Sequence, residues 1–160
     1  MVGSSVALDL EASVVASINS DLRAAVVAEA LTWIGTPFHH AQAVKGRGVD
    51  CAMSLIEWFS SQGVIKKFDP RPYSATWFLH QGEEKFLKII EEYADKLPEK
   101  ARVLPADIAL YRYGRCAAHG ALIVDDEFIV HAYAVAGRVE RTSRVSMEDA
   151  LEGYWRVRGL

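Results

Sequence analysis

The stretch VKGRGVDCAMSLIEWF, residues 44 to 59, passes from a glycine-rich basic loop through Asp50 and Cys51 into an apolar pattern of helical period. Leu55, Ile56 and Phe59 fall on one stripe and Gly63 supplies a stop, so the spacing predicts a helix from about Cys51 to Gln62. The thiol then stands in the first turn of that helix. Unpaired backbone N–H groups and the helix dipole favour an anion there, which predicts a lowered thiol pKa. A nucleophile uses such a position; a cysteine that only packs does not need it.

Upstream, SDLRAAVVAEALTWIG (residues 20 to 35) places Leu22, Val26, Val27, Ala30, Leu31 and Ile34 on one stripe. Ser20 or Asn19 is available as its cap, and Gly35 and Pro37 end it. TPFHHAQAVKGRGVD (residues 36 to 50) has no period and reads as a loop, the place where function concentrates. Downstream, GEEKFLKIIEEYADKL (residues 82 to 97) predicts a third helix with Phe86, Leu87, Ile90 and Tyr93 inward and a solvated acidic face. From Leu104 the period becomes that of strands. DIALYRY, AAHGALIV, EFIVHAY and RVERTS are separated by Gly114, Asp125-Asp126 and Gly137, which predicts an antiparallel meander. A turn of helix near Met147 to Leu151 and a closing strand in YWRVRGL complete the chain. Helices followed by strands predict an α+β fold with the sheet packed on the early helices.

At 160 residues with 51% hydrophobic residues, the chain is long enough to bury roughly two-thirds of its unfolded surface without staples. Residues 21 to 160 are expected to form one domain and residues 1 to 20 an N-terminal extension, either a docking helix or a poorly ordered end. Two cysteines make no disulfide framework, and no Cys/His cluster has metal-ligand spacing. A net charge of −3 and a pI near 5.9, without a basic stripe, argue against nucleic-acid binding. Asp9 and Glu11 stand where a secretory signal carries Lys or Arg, so synthesis in the cytoplasm without a signal peptide is expected. No apolar run approaches the ~20 residues needed to span a bilayer.

A nucleophilic thiol needs a base, and the base an orienting partner. Of five histidines, His119 and His131 fall on two strands joined through Asp125-Asp126. An odd-numbered loop of about three residues centred on Asp125 would make the two imidazoles face each other, with Cβ atoms ~5 Å apart. A two-residue loop would put them on opposite faces. The sequence leaves that parity open. His39 and His40 either line a cleft before the thiol or hydrogen-bond their own loop. His80 reads as a surface residue, Cys116 as an ordinary free thiol, Asp125 and Asp126 as turn residues, and Trp33, Trp58, Trp77 and Trp155 as core or cleft wall.

Taken together, ALTWIGTPFHH, KGRGVDC, LPADIALYRY, HGALIV and FIVHAY resemble the NlpC-type cell-wall cysteine peptidases. The likeness is greatest to the branch encoded in phage tail gene clusters and gene transfer agents, and it extends over roughly residues 25 to 158. It implies a papain-like fold in which helices carrying the nucleophile pack on a sheet carrying the histidines. Cys51 then matches the nucleophile, His119 the base and His131 the residue that orients it. The implied reaction is hydrolysis of a peptidoglycan stem peptide between D-glutamate and the following diamino acid. The oxyanion would be held by the backbone N–H of Cys51 and neighbouring donors, Ala52 among the candidates, with Asp50 organising the helix start. No cofactor or metal is implied. The partners implied are the cell wall and, for the phage branch, tail or tail-like particle proteins that would deliver the enzyme.

Departures from the pattern are specific. Phe38 stands where the family usually has Tyr, whose hydroxyl can serve the oxyanion site, and His39 or His40 is a candidate replacement. Met53 stands for a glycine after the nucleophile, which bears on pocket shape, and Ala106 for a glycine before Asp107. They keep open a related thiol amidase or acyltransferase, or a structural tail protein that has lost activity.

Overall fold

Gly120 has no side chain, and a Cβ built there would come within 2.9 Å of Leu55 and Phe86. That close approach is how helix and sheet meet. The computed structural model describes residues 3–76 and 84–160; Trp77 and His80 lie outside the described residues. Helix α1 (Gly3–Leu31) leads to a two-stranded ribbon, β1 (Ala43–Val44) and β2 (Gly48–Val49), then α2 (Cys51–Ser61) and α3 (Lys85–Glu91). The strands follow: β3 (Ala94–Lys96), β4 (Ile108–Tyr113), β5 (Cys116–Ile123), β6 (Phe128–Tyr133), β7 (Arg138–Ser143) and β8 (Leu151–Val157), with a 3-10 turn over Arg144–Ala150 before the last. Their order is β3-β8-β4-β5-β6-β7, all neighbours antiparallel. The fold is α+β, with the expected meander in β4 to β7 and the closing strand returning beside β4.

Alternation along the strands sorts the two faces. Leu110, Leu122, Val130, Ala132 and Trp155 join Leu55, Ile56, Phe59, Phe86 and Ile90 in the main core between sheet and helices. Ala109, Tyr111, Ala121, Ile123 and Ile129 face the other way and are covered by Met147 of the 3-10 turn.

Three boundaries differ from the sequence reading. Helix α1 continues through Asn19 and Ser20, which therefore cap nothing, and ends at Leu31. Its inward stripe is anchored by Val26 and Ala30 with the buried Arg23, while Ile34 is exposed. Arg23 is held there because Asp107, fully buried, accepts from it and from Arg156. The third helix stops at Glu91, and Ala94 to Lys96 pair with Val157 to Trp155 as an edge strand. Tertiary pairing overrides helical period in that short segment. The final helical turn is 3-10 and begins at Arg144.

Candidate active site

Asp50 starts the site. It adopts extended backbone (φ −108°) and its Oδ1 accepts from the Met53 N–H at 2.9 Å, so it caps α2. Its Oδ2 accepts from the Ala41 N–H and from the Tyr73 hydroxyl, both at 2.7 Å, with His40 Nδ1 3.6 Å away. One buried carboxylate thus ties the loop before the ribbon and the segment after α2 to the start of the helix that Cys51 opens. His40 braces the same corner: its Nε2 donates to the Tyr73 carbonyl at 2.8 Å and its ring meets the Tyr73 ring edge-on.

Capping by Asp50 aims Cys51 at strand β5. The half-buried thiol donates to the Ala118 carbonyl at 3.9 Å. Burial pushes its pKa up to about 12, and the Asp50 charge adds to that, against the pull of the Gly120, Cys51 and Ala52 backbone N–H groups. The lowered pKa expected from the helix start is therefore overturned: desolvation and a neighbouring anion outweigh the helix terminus. The resting state is a neutral thiol.

Cys51 and His119 line one cavity of about 370 Å³. Phe38, His40, Asp50 and Ala52 lie on its wall as well, with Tyr73, Phe86, Ile89, Tyr113 and Tyr133 making most of it apolar. His39 does not join them; it is exposed and packs beside Gly48. Met53 lies in the core and lines a different groove with Glu57, so its bulk does not enter this cavity. Ala106 takes up φ +67° in the turn before β4.

Behind His119 stands His131, fully buried. His119 Nε2 and His131 Nδ1 are 2.7 Å apart, and His131 Nε2 lies 3.0 Å from Thr142 Oγ1. His119 Nδ1 is thereby the nitrogen left to serve the cavity. The pairing comes from register. Leu122 faces Val130 and Ile123 faces Ile129, pairs that both sum to 252, so the odd-numbered loop is centred on Asp126 and not on Asp125. Parity puts the histidines on one face, as diagonal rather than directly opposed neighbours. Burial lowers the His119 pKa to about 3, with His131 as a second cause, and lowers that of His131 to about 4. Both are neutral at ordinary pH. Tyr133 stacks on the His131 ring at 4.8 Å, and Tyr111 and Tyr113 flank His119 at 5.8 and 6.1 Å. Among the described residues no group of three or more His, Cys, Asp or Glu is placed to hold a metal ion.

No protein-family profile matches the chain, and no curated protein does. Solved structures do match. The NlpC/p60 domain of the peptidoglycan hydrolase SagA superposes with a TM-score of 0.53 at 16% identity, covering 83% of this chain and 96% of that one. The fold is that of NlpC/p60 domains. The peptidoglycan hydrolase RipB from Mycobacterium tuberculosis gives 0.61 at 16% identity over 88% of this chain and 66% of its own. An NlpC/P60 family protein from Bacillus cereus ATCC 10987 gives 0.61 at 16%, covering 84% of this chain and 40% of that one. The chain thus spans nearly all of an isolated NlpC/p60 domain and less than half of the longer B. cereus protein. The division of this chain into a helical part bearing Cys51 and a sheet bearing His119 and His131 is the papain-like layout expected from the sequence.

Sequence reasoning missed Tyr73 and Thr142. Tyr73 lies in a Pro-rich segment without period, so no pattern could place it. Thr142 had a signal: in RVERTS it falls on the same strand face as Glu140, and the β6–β7 pairing of His131 with Glu140 makes it the next diagonal neighbour.

Proposed function

We propose that the chain is a cysteine peptidase that hydrolyses peptidoglycan stem peptides at the D-glutamyl to diamino acid bond. The observation that supports this best is a thiol at a helix start sharing a cavity with a histidine whose far nitrogen is held by a second histidine. The named hydrolases of the same fold favour the cell wall as substrate. In this reading His119 Nδ1 removes the Cys51 proton as sulfur attacks the carbonyl carbon, because both groups rest neutral. The tetrahedral oxyanion is met by backbone N–H groups of Cys51 and Ala52, and the imidazolium returns its proton to the leaving amine. Water, activated by the same imidazole, then cleaves the acyl-enzyme. Assembly into a phage tail or tail-like particle, which would carry the enzyme to the wall, is part of the proposal and rests on the sequence resemblance alone.

The apolar wall of the cavity favours one second reading, a thiol amidase or acyltransferase that takes an apolar acyl group. Incubating the protein and its Cys51→Ala variant with purified peptidoglycan and with defined stem peptides, followed by mass spectrometry, tests the first reading. Release of a fragment ending in D-glutamate, absent with the variant, is the expected result. Thiol-dependent turnover of aryl or acyl esters with no peptide cleavage would replace it by the second.

A further inference from the structure

We infer that Thr142 is a positioning residue that keeps open the tautomer of the His131–His119 pair in which His119 is a base toward Cys51. The inference rests on the reading of Cys51 and His119 as nucleophile and base. Three side chains form a diagonal row across adjacent strands: His119 on β5, His131 on β6 and Thr142 on β7, linked at 2.7 and 3.0 Å. A neutral imidazole has one donor and one acceptor nitrogen. For His119 to offer a lone pair at Nδ1, its proton sits on Nε2 and is donated to His131 Nδ1. His131 must then carry its own proton on Nε2. That N–H lies on a side chain with no solvent exposure, and the Thr142 hydroxyl oxygen 3.0 Å away can accept it, just as the hydroxyl can donate to a bare Nε2. Leaving it without a partner would cost a buried donor its desolvation.

Without the hydroxyl, the opposite arrangement becomes favoured, because it leaves a buried lone pair unpartnered instead of a buried N–H, the less costly of the two. His131 moves its proton to Nδ1 and donates to His119 Nε2, and His119 then presents N–H instead of a lone pair to the cavity. Such a ring cannot take the thiol proton. Nothing else about the site needs to move, which separates this role from packing. The hydroxyl acts on Cys51 through two rings and touches no substrate.

The test uses three full-length proteins, all with Cys116→Ser: the parent, Thr142→Val, which keeps shape and strand preference, and Thr142→Ser, which keeps the hydroxyl. Long-range proton–nitrogen NMR reports histidine tautomers without any substrate, and iodoacetamide reports Cys51 reactivity. The expected result is Nε2-protonated His119 in the parent and in Thr142→Ser. Thr142→Val should show a shift to Nδ1-protonated His119 and alkylation about tenfold slower, the lower end of what outer-shell partners of a reacting imidazole contribute. In turnover assays kcat should fall in Thr142→Val with KM unchanged. Identical tautomers and alkylation in parent and valine variant overturn the inference, whether or not peptidoglycan is cleaved. The tautomer shift in a protein that cleaves no wall peptide supports it and instead removes the peptidase reading. If Thr142→Val does not fold, Thr142→Ala carries the same two readouts with the same expected and contrary results.

Discussion

The Tyr73 hydroxyl donates to Asp50 Oδ2 at 2.7 Å, joining a segment beyond helix α2 to the residue that caps that helix. The same carboxylate accepts from the Met53 and Ala41 backbone N–H groups. A buried anion with three donors is stable where it is, but it faces the thiol, and its charge helps hold Cys51 protonated. Structural order at the mouth of the cavity and thiol acidity are thus set by one residue in opposite directions.

Asp50→Asn should separate the two effects. Removing the charge lowers the Cys51 pKa from about 12, while the weaker cap and lost charge-assisted bonds cost about 1–2 kcal/mol of stability. Alkylation profiles against pH and urea denaturation read the two quantities. Tyr73→Phe should cost about 1 kcal/mol through the loss of one donor to Oδ2, which keeps the Ala41 N–H, with the charge intact, and so should leave the Cys51 profile high. A lowered thiol pKa in Tyr73→Phe and none in Asp50→Asn would contradict this division.

For Cys51 itself, with Cys116→Ser as background, iodoacetamide alkylation should rise steadily with pH and show no plateau below about pH 10, since burial holds the thiol near 12. A plateau reached below pH 8 would mean a resting thiolate and would sink the neutral-pair mechanism. With both His119 and Cys51 uncharged at rest, proton transfer in the proposed mechanism belongs to the chemical step and not to the free protein.

Much of this was legible in the residues. The helix from Cys51 and the meander follow from period and order, because burial on one face writes itself as alternation, whereas the meeting of His119 with His131 hung on a parity that the sequence left open. The hairpin centre was not legible, since Asp125, Asp126 and Glu127 all suit a turn. The thiol pKa was misread because desolvation depends on what packs above Cys51, a property of β5 and not of the local stretch. The end of α3 was hidden for the same reason: Ala94 to Lys96 extend only because β8 lies beside them. Tyr73 reaches Asp50 from a segment with no period at all.

Acid should destabilise the protein in a defined window. His119 and His131 titrate near 3 and 4 in the folded chain but near 6.5 when unfolded, so between those values the unfolded chain binds protons that the folded one does not. Stability therefore rises with pH across that window and falls as pH drops from 6.5 toward 4, by up to about 1.4 kcal/mol per pH unit for each histidine. Urea midpoints at pH 7 and pH 5 measure the slope. His131→Asn should flatten it; an unchanged slope would show that the histidines are not the groups responsible.

Ala106 holds φ +67° while fully buried, a conformation that costs a Cβ-bearing residue roughly 1–2 kcal/mol. Ala106→Gly relieves that strain and gives back part through the freer unfolded chain, for a net gain of about 0.5 kcal/mol in thermal or urea denaturation. A loss above about 1 kcal/mol would mean that the methyl packs more than it strains.

Gly120 sits next to His119 and beneath α2, and its missing side chain sets how closely Cys51 approaches β5. A Cβ there would meet Leu55 Cδ1 and Phe86 Cζ at 2.9 Å, shorter than ordinary contact, so Gly120→Ala must push α2 outward or twist two buried side chains. Overpacking of that kind costs about 1–3 kcal/mol. The same displacement lengthens the path from Sγ to the strand, now 3.9 Å at the Ala118 carbonyl, and draws the thiol away from the Gly120 N–H that favours its anion. Activity should therefore fall by more than stability alone explains, with kcat reduced at temperatures where the variant is fully folded. Combining it with Leu55→Val, which makes room for the new methyl, should recover part of both losses. If Gly120→Ala is destabilised but turns over at the parent rate while folded, the close contact serves packing only and the position of Cys51 is set by the Asp50 cap.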